Sequence, residues 1–242
     1  MPAPDRALGL RLAVAAALTI VLLVPLSLLG VLVVGNWPPL HAVDLDITDA
    51  SHSVAVGNTV WVRAMAAWSY LCDPNTLRAA ALALALWLWR AKDAPRLAWW
   101  VVVTMTVGGV LAALLKLLVG RNRPELLEPV ARAAGYSFPS GHALNAALAA
   151  GVFLLVLLPF VHDRRWLRGL LWTMVILVPL VTGLCRVGLG VHWASDVLAG
   201  WLMGIAVVAA TAAGFAAWRE RSGRRRVKVT EEGVEPEVAQ RA

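Results

Sequence analysis

Long apolar stretches recur along the whole chain and constrain its fold more than any other feature. A helix needs about 20 mostly apolar residues to cross the roughly 30 Å hydrocarbon core of a bilayer. Six stretches approach or exceed this length, the second being short: 12–34, 75–90, 97–119, 143–161, 167–185 and 194–218. With 60% hydrophobic residues and a mean hydropathy of +0.70, the 242-residue chain is too apolar for an ordinary soluble domain. We therefore predict an all-α integral membrane bundle with six transmembrane helices.

The segment 58–71, NTVWVRAMAAWSYL, is a further apolar stretch of a different character. It carries Arg63 near its middle and places Trp61, Met65 and Trp68 toward one helical face. Amphipathic helices of this kind lie in the membrane interface instead of crossing the bilayer. We therefore predict one interfacial helix on the outer side of the membrane.

Basic residues decide the orientation, because loops rich in Lys and Arg stay on the cytoplasmic side. With six crossings and a cytoplasmic N-terminus, the basic residues before position 12, at 90–96, at 164–168 and at 218–228 all lie on that side. A seventh crossing would turn these loops outward, except for the N-terminus. We therefore predict that both termini are cytoplasmic. The segments 120–142 and 186–193 then face outward, as does the loop that carries Asp44, Asp46 and Asp49.

The chain divides into a membrane-embedded domain, 1–218, and a C-terminal tail, 219–242. The tail turns from basic to acidic and lacks apolar periodicity, which is typical of disorder, so we expect a disordered cytoplasmic segment. The two cysteines, Cys72 and Cys185, are too few for a disulfide framework or a thiolate metal site, and we expect them to be unpaired. Composition leaves the oligomeric state open.

Cations cluster at the outer end of the third apolar stretch. In KLLVGRNRP, Lys116 is followed within seven residues by Arg121 and Arg123, and Pro124 ends any helix. Charges beside a bilayer are costly, and they are usually either functional or snorkelling. Taken alone, Lys116 is more typical of a snorkelling lysine than of a ligand.

The segment YSFPSGHALN, 136–145, opens the fourth apolar stretch. At a helix start, Ser140 and Gly141 offer backbone N–H groups, and free N–H groups together with the helix dipole form an anion site. A capped helix start after a proline is the alternative, since Ser is a favoured N-cap. His142 favours chemistry, because an imidazole at this position can donate a proton to a leaving oxygen at neutral pH.

A third polar segment, CRVGLGVHWASD, covers 185–196. Arg186 comes at the outer end of the fifth apolar stretch, and His192 and Asp196 fall four residues apart on one helical face. A carboxylate at that spacing can fix the tautomer of an imidazole and stabilise its cationic form. A simple helix-stabilising pair is the alternative, but it leaves the neighbouring cations unexplained.

The three segments together place two histidines, one carboxylate and at least three cations on the same predicted face. His142, His192 and Asp196 are residue types that suit zinc, but the accompanying cations repel a divalent ion and attract an oxyanion. We therefore predict a phosphate site with no bound metal.

The chain resembles the type-2 phosphatidic acid phosphatase family, which is related to the vanadium haloperoxidases, in these three segments. The matching motifs are KLLVGRNRP with Lys116, Arg123 and Pro124, PSGH at 139–142, and RVGLGVHWASD with Arg186, His192 and Asp196. Their order and spacing match over about 97–218. One position departs from the family pattern, because Cys185 stands where the family usually has Ser. A thiol is a weaker hydrogen-bond donor, which puts in doubt only part of the affinity or rate.

The resemblance implies a role for each matching residue. His192 attacks phosphorus to form a phosphohistidine, Asp196 orients His192, and His142 protonates the leaving group and then activates water. The phosphoryl oxygens are held by Lys116, Arg123, Ser140, Gly141 and Arg186. No metal or other cofactor is required. Arg121 matches no motif position, and a contact with the substrate head group is our hypothesis for it.

The expected substrate is a membrane lipid phosphate, because the motifs lie where a phosphate head and an apolar tail meet at the outer surface. Outward topology favours an undecaprenyl-type polyprenyl diphosphate, trimmed for carrier-lipid recycling at the cytoplasmic (inner) membrane of a bacterium. Phosphatidylglycerophosphate and phosphatidic acid are close alternatives. A non-catalytic lipid-binding protein would keep the cations but would not need both histidines. A haloperoxidase would share the anion pocket, but six crossings suit a lipid better. We expect no nucleic-acid partner.

Overall fold

The computed structural model describes residues 4–126, 130–161 and 163–221, and its regular structure over these residues is entirely helical. Eight α-helices follow one another in this part of the chain, with a 3-10 turn, Leu158–Val161, after the sixth. They are α1 Pro4–Val34, α2 Pro38–Val56, α3 Thr59–Leu71, α4 Pro74–Ala91, α5 Pro95–Val119, α6 Gly141–Leu157, α7 Arg165–Gly188 and α8 Ala194–Arg221. The predicted tail, 219–242, lies outside the described residues from position 222 onward.

The described helices form a membrane bundle with fewer clear crossings than predicted. Four segments are long and apolar enough to span a bilayer: Pro95–Val119, Gly141–Val161, Arg165–Gly188 and Ala194–Arg219. The helices Thr19–Val34 and Pro38–Val56 are long and apolar enough only when they are taken together, and the chain bends by 94° between them. Helix α4 falls short because its 18 residues include a polar first turn, Arg78 and Arg90. The described chain therefore has four or five candidate spans, and the predicted six are not confirmed.

Helix α2 corrects the expectation of a loop after the first apolar stretch. The helix begins with Pro38 in its first turn, where the missing N–H of proline costs nothing, and it ends at Gly57. Its buried residues, Asp44, Thr48 and Ala55, lie along one narrow stripe. This stretch contains too few apolar residues to be detected as a run of bilayer length, so the sequence analysis missed the helix.

The predicted interfacial helix, 58–71, corresponds to α3. Asn58 caps it, because its side-chain oxygen accepts a hydrogen bond from the backbone N–H of Trp61 at 2.9 Å. Met65 is buried, and Nε1 of Trp68 donates to Oγ1 of Thr182 on α7 at 3.0 Å. One face of α3 therefore packs on α7, and its location in the membrane interface stays a prediction.

Helix α6 lies at the centre of the bundle and contacts α4, α5, α7 and α8. Its approach to α8 is close because Gly200 and Gly204 remove side chains from the contact, in the spacing typical of tightly packed membrane helices. A Cβ atom at Gly204 would lie 2.7 Å from Cβ of Ala147 and 2.8 Å from the carbonyl oxygen of Leu144. This packing holds the N-terminal ends of α6 and α8 side by side.

We expect Gly204→Ala to destabilise the bundle by about 1–3 kcal/mol, because the added methyl group overpacks a backbone contact. Thermal unfolding in detergent measures this loss. Gly214→Ala on the same helix is the matched control, since its Cβ would meet no atom within 4 Å. The control gains helix propensity, so we expect its stability to be unchanged or slightly higher. Equal stability of the two variants would contradict the close α6–α8 contact.

Candidate active site

The first motif forms where α5 ends. Gly120 adopts a left-handed conformation, with φ of 62°, and its N–H donates to the carbonyl of Lys116 at 3.1 Å, which stops the helix. Lys116 therefore lies in the last turn, and its Nζ donates to the carbonyl of Tyr136 at 2.7 Å. This bond places the lysine beside the segment that leads into the second motif.

Arg123 ties the first motif to the third. Its Nη1 lies 3.1 Å from Nε2 of His192. Its guanidinium also donates to four backbone carbonyls, those of Val191 at 2.6 Å, Gly135 at 2.9 Å, Ala134 at 3.1 Å and Tyr136 at 3.3 Å. Partial burial lowers the pKa of Arg123, and the Asp196 carboxylate opposes this effect. The guanidinium is thus fixed against the imidazole of His192.

The hydrogen-bond partners of His192 define its tautomer. Nδ1 lies 3.3 Å from Oδ2 of Asp196, which can only accept, and Nε2 faces Nη1 of Arg123, which can only donate. Neutral His192 therefore carries its proton on Nδ1 and presents a lone pair at Nε2. Oδ2 of Asp196 also accepts from the backbone N–H of Trp193 at 3.0 Å, which fixes the carboxylate. Nε2 is therefore the nitrogen that carries the lone pair.

We expect His192 to stay neutral well below the ordinary titration range of histidine. Burial lowers its pKa to about 4, Asp196 opposes this shift, and Arg123 and Arg186 add to it. The neutral form is the nucleophile, so acidification to about pH 5 leaves Nε2 unprotonated, whereas an ordinary histidine would be mostly protonated there. NMR of protein with labelled histidine, assigned with His192→Gln, measures the titration. A midpoint near 6.5 would contradict the buried geometry.

The second motif supplies unsatisfied donors at the start of α6. The backbone N–H of Ser140 donates to the carbonyl of Asp196 at 2.9 Å, which joins this motif to α8. Oγ of Ser140 and Nε of Arg186 are buried without a hydrogen-bond partner among the described residues. A Cβ at Gly141 would meet no atom within 4 Å, so there is open space at this helix N-terminus. Free donors and open space at a helix N-terminus are features of an anion site.

His142 lies at the same end of α6. Its Nε2 is 3.6 Å from Oδ2 of Asp73, and it lies within electrostatic reach of Arg186 and His192. Asp73 also caps α4, because its Oδ1 accepts from the backbone N–H of Asn75 at 2.8 Å. The structure thus gathers both predicted histidines and the predicted cations Lys116, Arg123 and Arg186 at one end of the bundle.

Arg121 is held by two carboxylates and a hydroxyl group. Its Nη1 donates to Oδ1 of Asp196 at 2.8 Å and to Oγ of Ser195 at 2.7 Å, and its Nη2 donates to Oδ2 of Asp44 at 2.6 Å. Its guanidinium also lies over the ring of Trp193, 5.2 Å from the centroid. The sequence analysis missed Asp44 and Asp73, because no motif spacing connects them to the site. It also missed Ser195, which lies within the third segment, directly before Asp196. A head-group contact by Arg121 stays a hypothesis.

The sequence also raised the questions of a metal site and of a disulfide between the two cysteines. Across residues 4–126, 130–161 and 163–221, no three His, Cys, Asp or Glu side chains are arranged to hold a metal ion. Cys72 and Cys185 are both buried and free. Cys185 packs in an apolar cluster with Met65 and Leu189.

Solved and curated proteins give an independent comparison. A crystal structure of a transmembrane PAP2-type phosphatidylglycerolphosphate phosphatase from Bacillus subtilis matches 87% of this chain and 98% of that chain, with a TM-score of 0.68 and 21% identity. This likeness establishes the fold. In sequence, an undecaprenyl-diphosphatase of Sulfolobus acidocaldarius is 35% identical over 110 residues, or 43% of this chain and 48% of that protein. The phosphatidylglycerophosphatase B of Bacillus subtilis is 34% identical over 99 residues, or 40% and 47%.

The chain thus matches just under half the length of these curated relatives. The family model of the PAP2 superfamily matches residues 97–220, which include all three motifs and more than half of the chain. This match confirms the family resemblance that the motifs predicted. The protein is a multi-pass membrane member of the PAP2 superfamily.

Proposed function

We propose that the protein is a metal-independent lipid phosphate phosphatase that works through a phosphohistidine on His192. The observation that supports this most strongly is the setting of His192. A carboxylate lies at Nδ1, a guanidinium lies at Nε2, and the ring is only 2% exposed. This arrangement leaves the ring's lone pair on Nε2, next to cations that attract an oxyanion.

The proposed reaction has two steps that share His142. Nε2 of His192 forms a bond to phosphorus while the bond from phosphorus to the leaving oxygen breaks, and His142 gives that oxygen a proton. Water then attacks phosphorus, His142 takes a proton from the water, and the bond from nitrogen to phosphorus breaks to release phosphate. Asp196 holds the proton on Nδ1 and stabilises the positive charge that develops on the ring.

Cations and unsatisfied donors support the binding of the phosphoryl group. Lys116, Arg123 and Arg186 would neutralise its charge, and the transition state would benefit most because the donors are already in place. Oγ of Ser140 and the backbone N–H of Gly141 would bind the remaining oxygens. In this role the buried donors of Ser140 and Arg186 acquire the partner that they lack among the described residues.

An apolar cleft supports a lipid as the substrate. A cavity of about 830 Å³ lies between α1, α5 and α8, and Phe138 forms part of its wall. Phe138 comes two residues before Ser140, so an apolar chain in this cleft would lie close to the phosphate site. Most of the side chains that line the cleft are apolar, as an isoprenoid or acyl chain requires, and Thr19, Ser27 and Thr211 are the hydroxyl-bearing residues among them.

Among lipids, we propose an undecaprenyl-type polyprenyl diphosphate, with phosphatidylglycerophosphate and phosphatidic acid as alternatives. The curated relatives carry two of these activities in their names, at nearly equal identity, so they do not rank the substrates. The proposal rests on topology, because a carrier lipid exposes its diphosphate on the outer side of a bacterial cytoplasmic membrane.

We propose that α4 and α1 cross the membrane together with the four clear spans, which keeps both termini cytoplasmic. Helix α4 has 18 residues and is about 27 Å long, close to the thickness of the hydrocarbon core. It packs against α5 and α6, both of which are candidate spans. Labelling of single cysteines in intact cells would test this topology.

Phosphate release by purified protein in EDTA tests the proposed activity. The panel contains polyprenyl diphosphate, phosphatidylglycerophosphate and phosphatidic acid, and the proposal predicts release without added metal, fastest from the diphosphate. Binding of these lipids without any release would favour the non-catalytic lipid-binding alternative. Peroxide-dependent halogenation that requires vanadate would favour a haloperoxidase.

A further inference from the structure

A buried carboxylate on α2 remains unexplained by the proposed reaction. Asp44 is 1% exposed, and its Oδ1 accepts from the backbone N–H of Ser195 at 2.9 Å. Its Oδ2 accepts from Oγ of Ser195 and, at 2.6 Å, from Nη2 of Arg121. Helix α2 lies outside the residues that match the family model, 97–220. A carboxylate so deeply buried is tolerated only when its partners compensate for lost hydration.

Arg121 bridges this carboxylate to the carboxylate that faces His192. Nη2 of the guanidinium binds Asp44, and Nη1 binds Oδ1 of Asp196 at 2.8 Å. Asp196 is fully buried, and the side chain of Arg121 is 13% exposed. The Arg121 side chain is therefore held between two carboxylates, with the ring of Trp193 against its face.

The two oxygens of Asp196 have separate partners. Oδ1 binds Arg121, and Oδ2 faces Nδ1 of His192 and accepts from the backbone N–H of Trp193. The position of Arg121 thus sets the plane of the Asp196 carboxylate, and Asp44 sets the position of Arg121. Ser195 strengthens this connection, because its Oγ contacts both Asp44 and Arg121.

The net charge of Asp44, Arg121 and Asp196 also affects His192. Two carboxylates and one guanidinium leave one net negative charge beside His192, whose ring becomes cationic when it is phosphorylated. If Asp44 were neutral, this group would carry no net charge, and Arg121 would compensate Asp196 alone. The ring would then face Arg123 and Arg186 with less negative charge to balance the cation.

We propose that Asp44 is a positioning residue for the reaction at His192 and acts through Arg121 and Ser195 on Asp196. This inference rests on the proposed phosphatase function. It assigns a role to α2, and it gives Arg121 a task other than contact with the lipid head group.

Asp44→Asn is the main test, because it removes the charge and keeps the shape. We expect kcat to fall by about tenfold to 100-fold while KM stays within about twofold, since orientation and charge affect the transition state more than binding. Asp46→Asn and Asp49→Asn are matched controls, because both residues lie on α2 and are exposed. We expect both controls to keep the wild-type rate.

A double-mutant cycle separates positioning from a general loss of stability. If Asp44 acts through Asp196, then Asp44→Asn has little further effect in an Asp196→Asn background, so the two effects are not additive. Ser195→Ala is a milder second variant, and it decides the question if Asp44→Asn fails to fold. For Ser195→Ala we expect kcat to fall by about threefold to tenfold at unchanged KM.

Three outcomes would overturn the inference while the wild type remains active. The first is an unchanged kcat in folded Asp44→Asn, or in Ser195→Ala if Asp44→Asn does not fold. The second is a higher KM at unchanged kcat, and the third is additive losses of activity in the double-mutant cycle. A higher KM for Arg121→Lys at constant kcat would favour a head-group contact instead. A wild type that releases no phosphate from any lipid would reject the proposed function itself, so the two failures are distinguishable.

Discussion

His192→Ala abolishes phosphate release, with an expected fall in kcat of about 10⁴-fold or more. The reason is structural, because Nε2 of His192 is the nitrogen that faces the cations, and its other nitrogen is committed to Asp196. The variant keeps the phosphate-binding groups, so substrate still binds while the bond to phosphorus does not form. Steady-state phosphate release at saturating lipid measures the loss.

Two controls make this result specific. His52→Ala replaces a histidine on α2 that contacts none of the three motifs among the described interactions, and we expect it to keep the wild-type rate. Thermal unfolding shows whether His192→Ala remains folded, since removal of a buried ring leaves a cavity. A folded His192→Ala that retains more than about one-hundredth of the wild-type kcat would exclude His192 as the nucleophile.

His142→Ala slows turnover of a lipid phosphate by about 10³-fold, because a positioned general acid and base contributes about 10²–10⁴-fold. The rate of the first step in this variant depends on the leaving group. With p-nitrophenyl phosphate the leaving oxygen needs no proton, so the first step stays fast and only attack by water is slow. We therefore expect a burst of about one equivalent of nitrophenol for each active site, followed by slow turnover.

The leaving-group comparison separates the role of His142 from phosphate binding. A binding residue would raise KM for both substrates and would produce no burst. The wild type is the control, because the same group that donates the proton also activates water and keeps the second step fast. A slow release of nitrophenol from the first turnover onward, without a burst, would contradict a proton-transfer role.

Local spacing made the core of the site predictable. Arg186, His192 and Asp196 lie within one short segment, so their placement at the junction of α7 and α8 follows from the helix ends. The cations Lys116 and Arg123 flank a glycine that ends α5, and PSGH sits at the start of α6. Helix termini at one end of a bundle bring these motifs together, and hydropathy alone locates the termini.

Contacts between distant segments were not predictable. Asp44 precedes Asp196 by about 150 residues and lies on a helix whose buried stripe is narrow and partly polar, so no hydropathy pattern connects the two carboxylates. Asp73 looks like an ordinary helix cap in sequence, and only the fold brings it to His142. The six predicted crossings are not confirmed for a different reason, because Arg78 and Arg90 near the two ends of α4 shorten its apolar core.

The most direct test of the central claim is the location of the phosphoryl group during turnover. His142→Ala is mixed with p-nitrophenyl phosphate, quenched in alkali and digested, and the peptides are sequenced by mass spectrometry. The proposed mechanism predicts phosphate on His192 that survives alkali and is lost in acid, and none in the double variant with His192→Ala. Phosphate on another side chain, or a burst with no phosphopeptide, would contradict nucleophilic catalysis by His192.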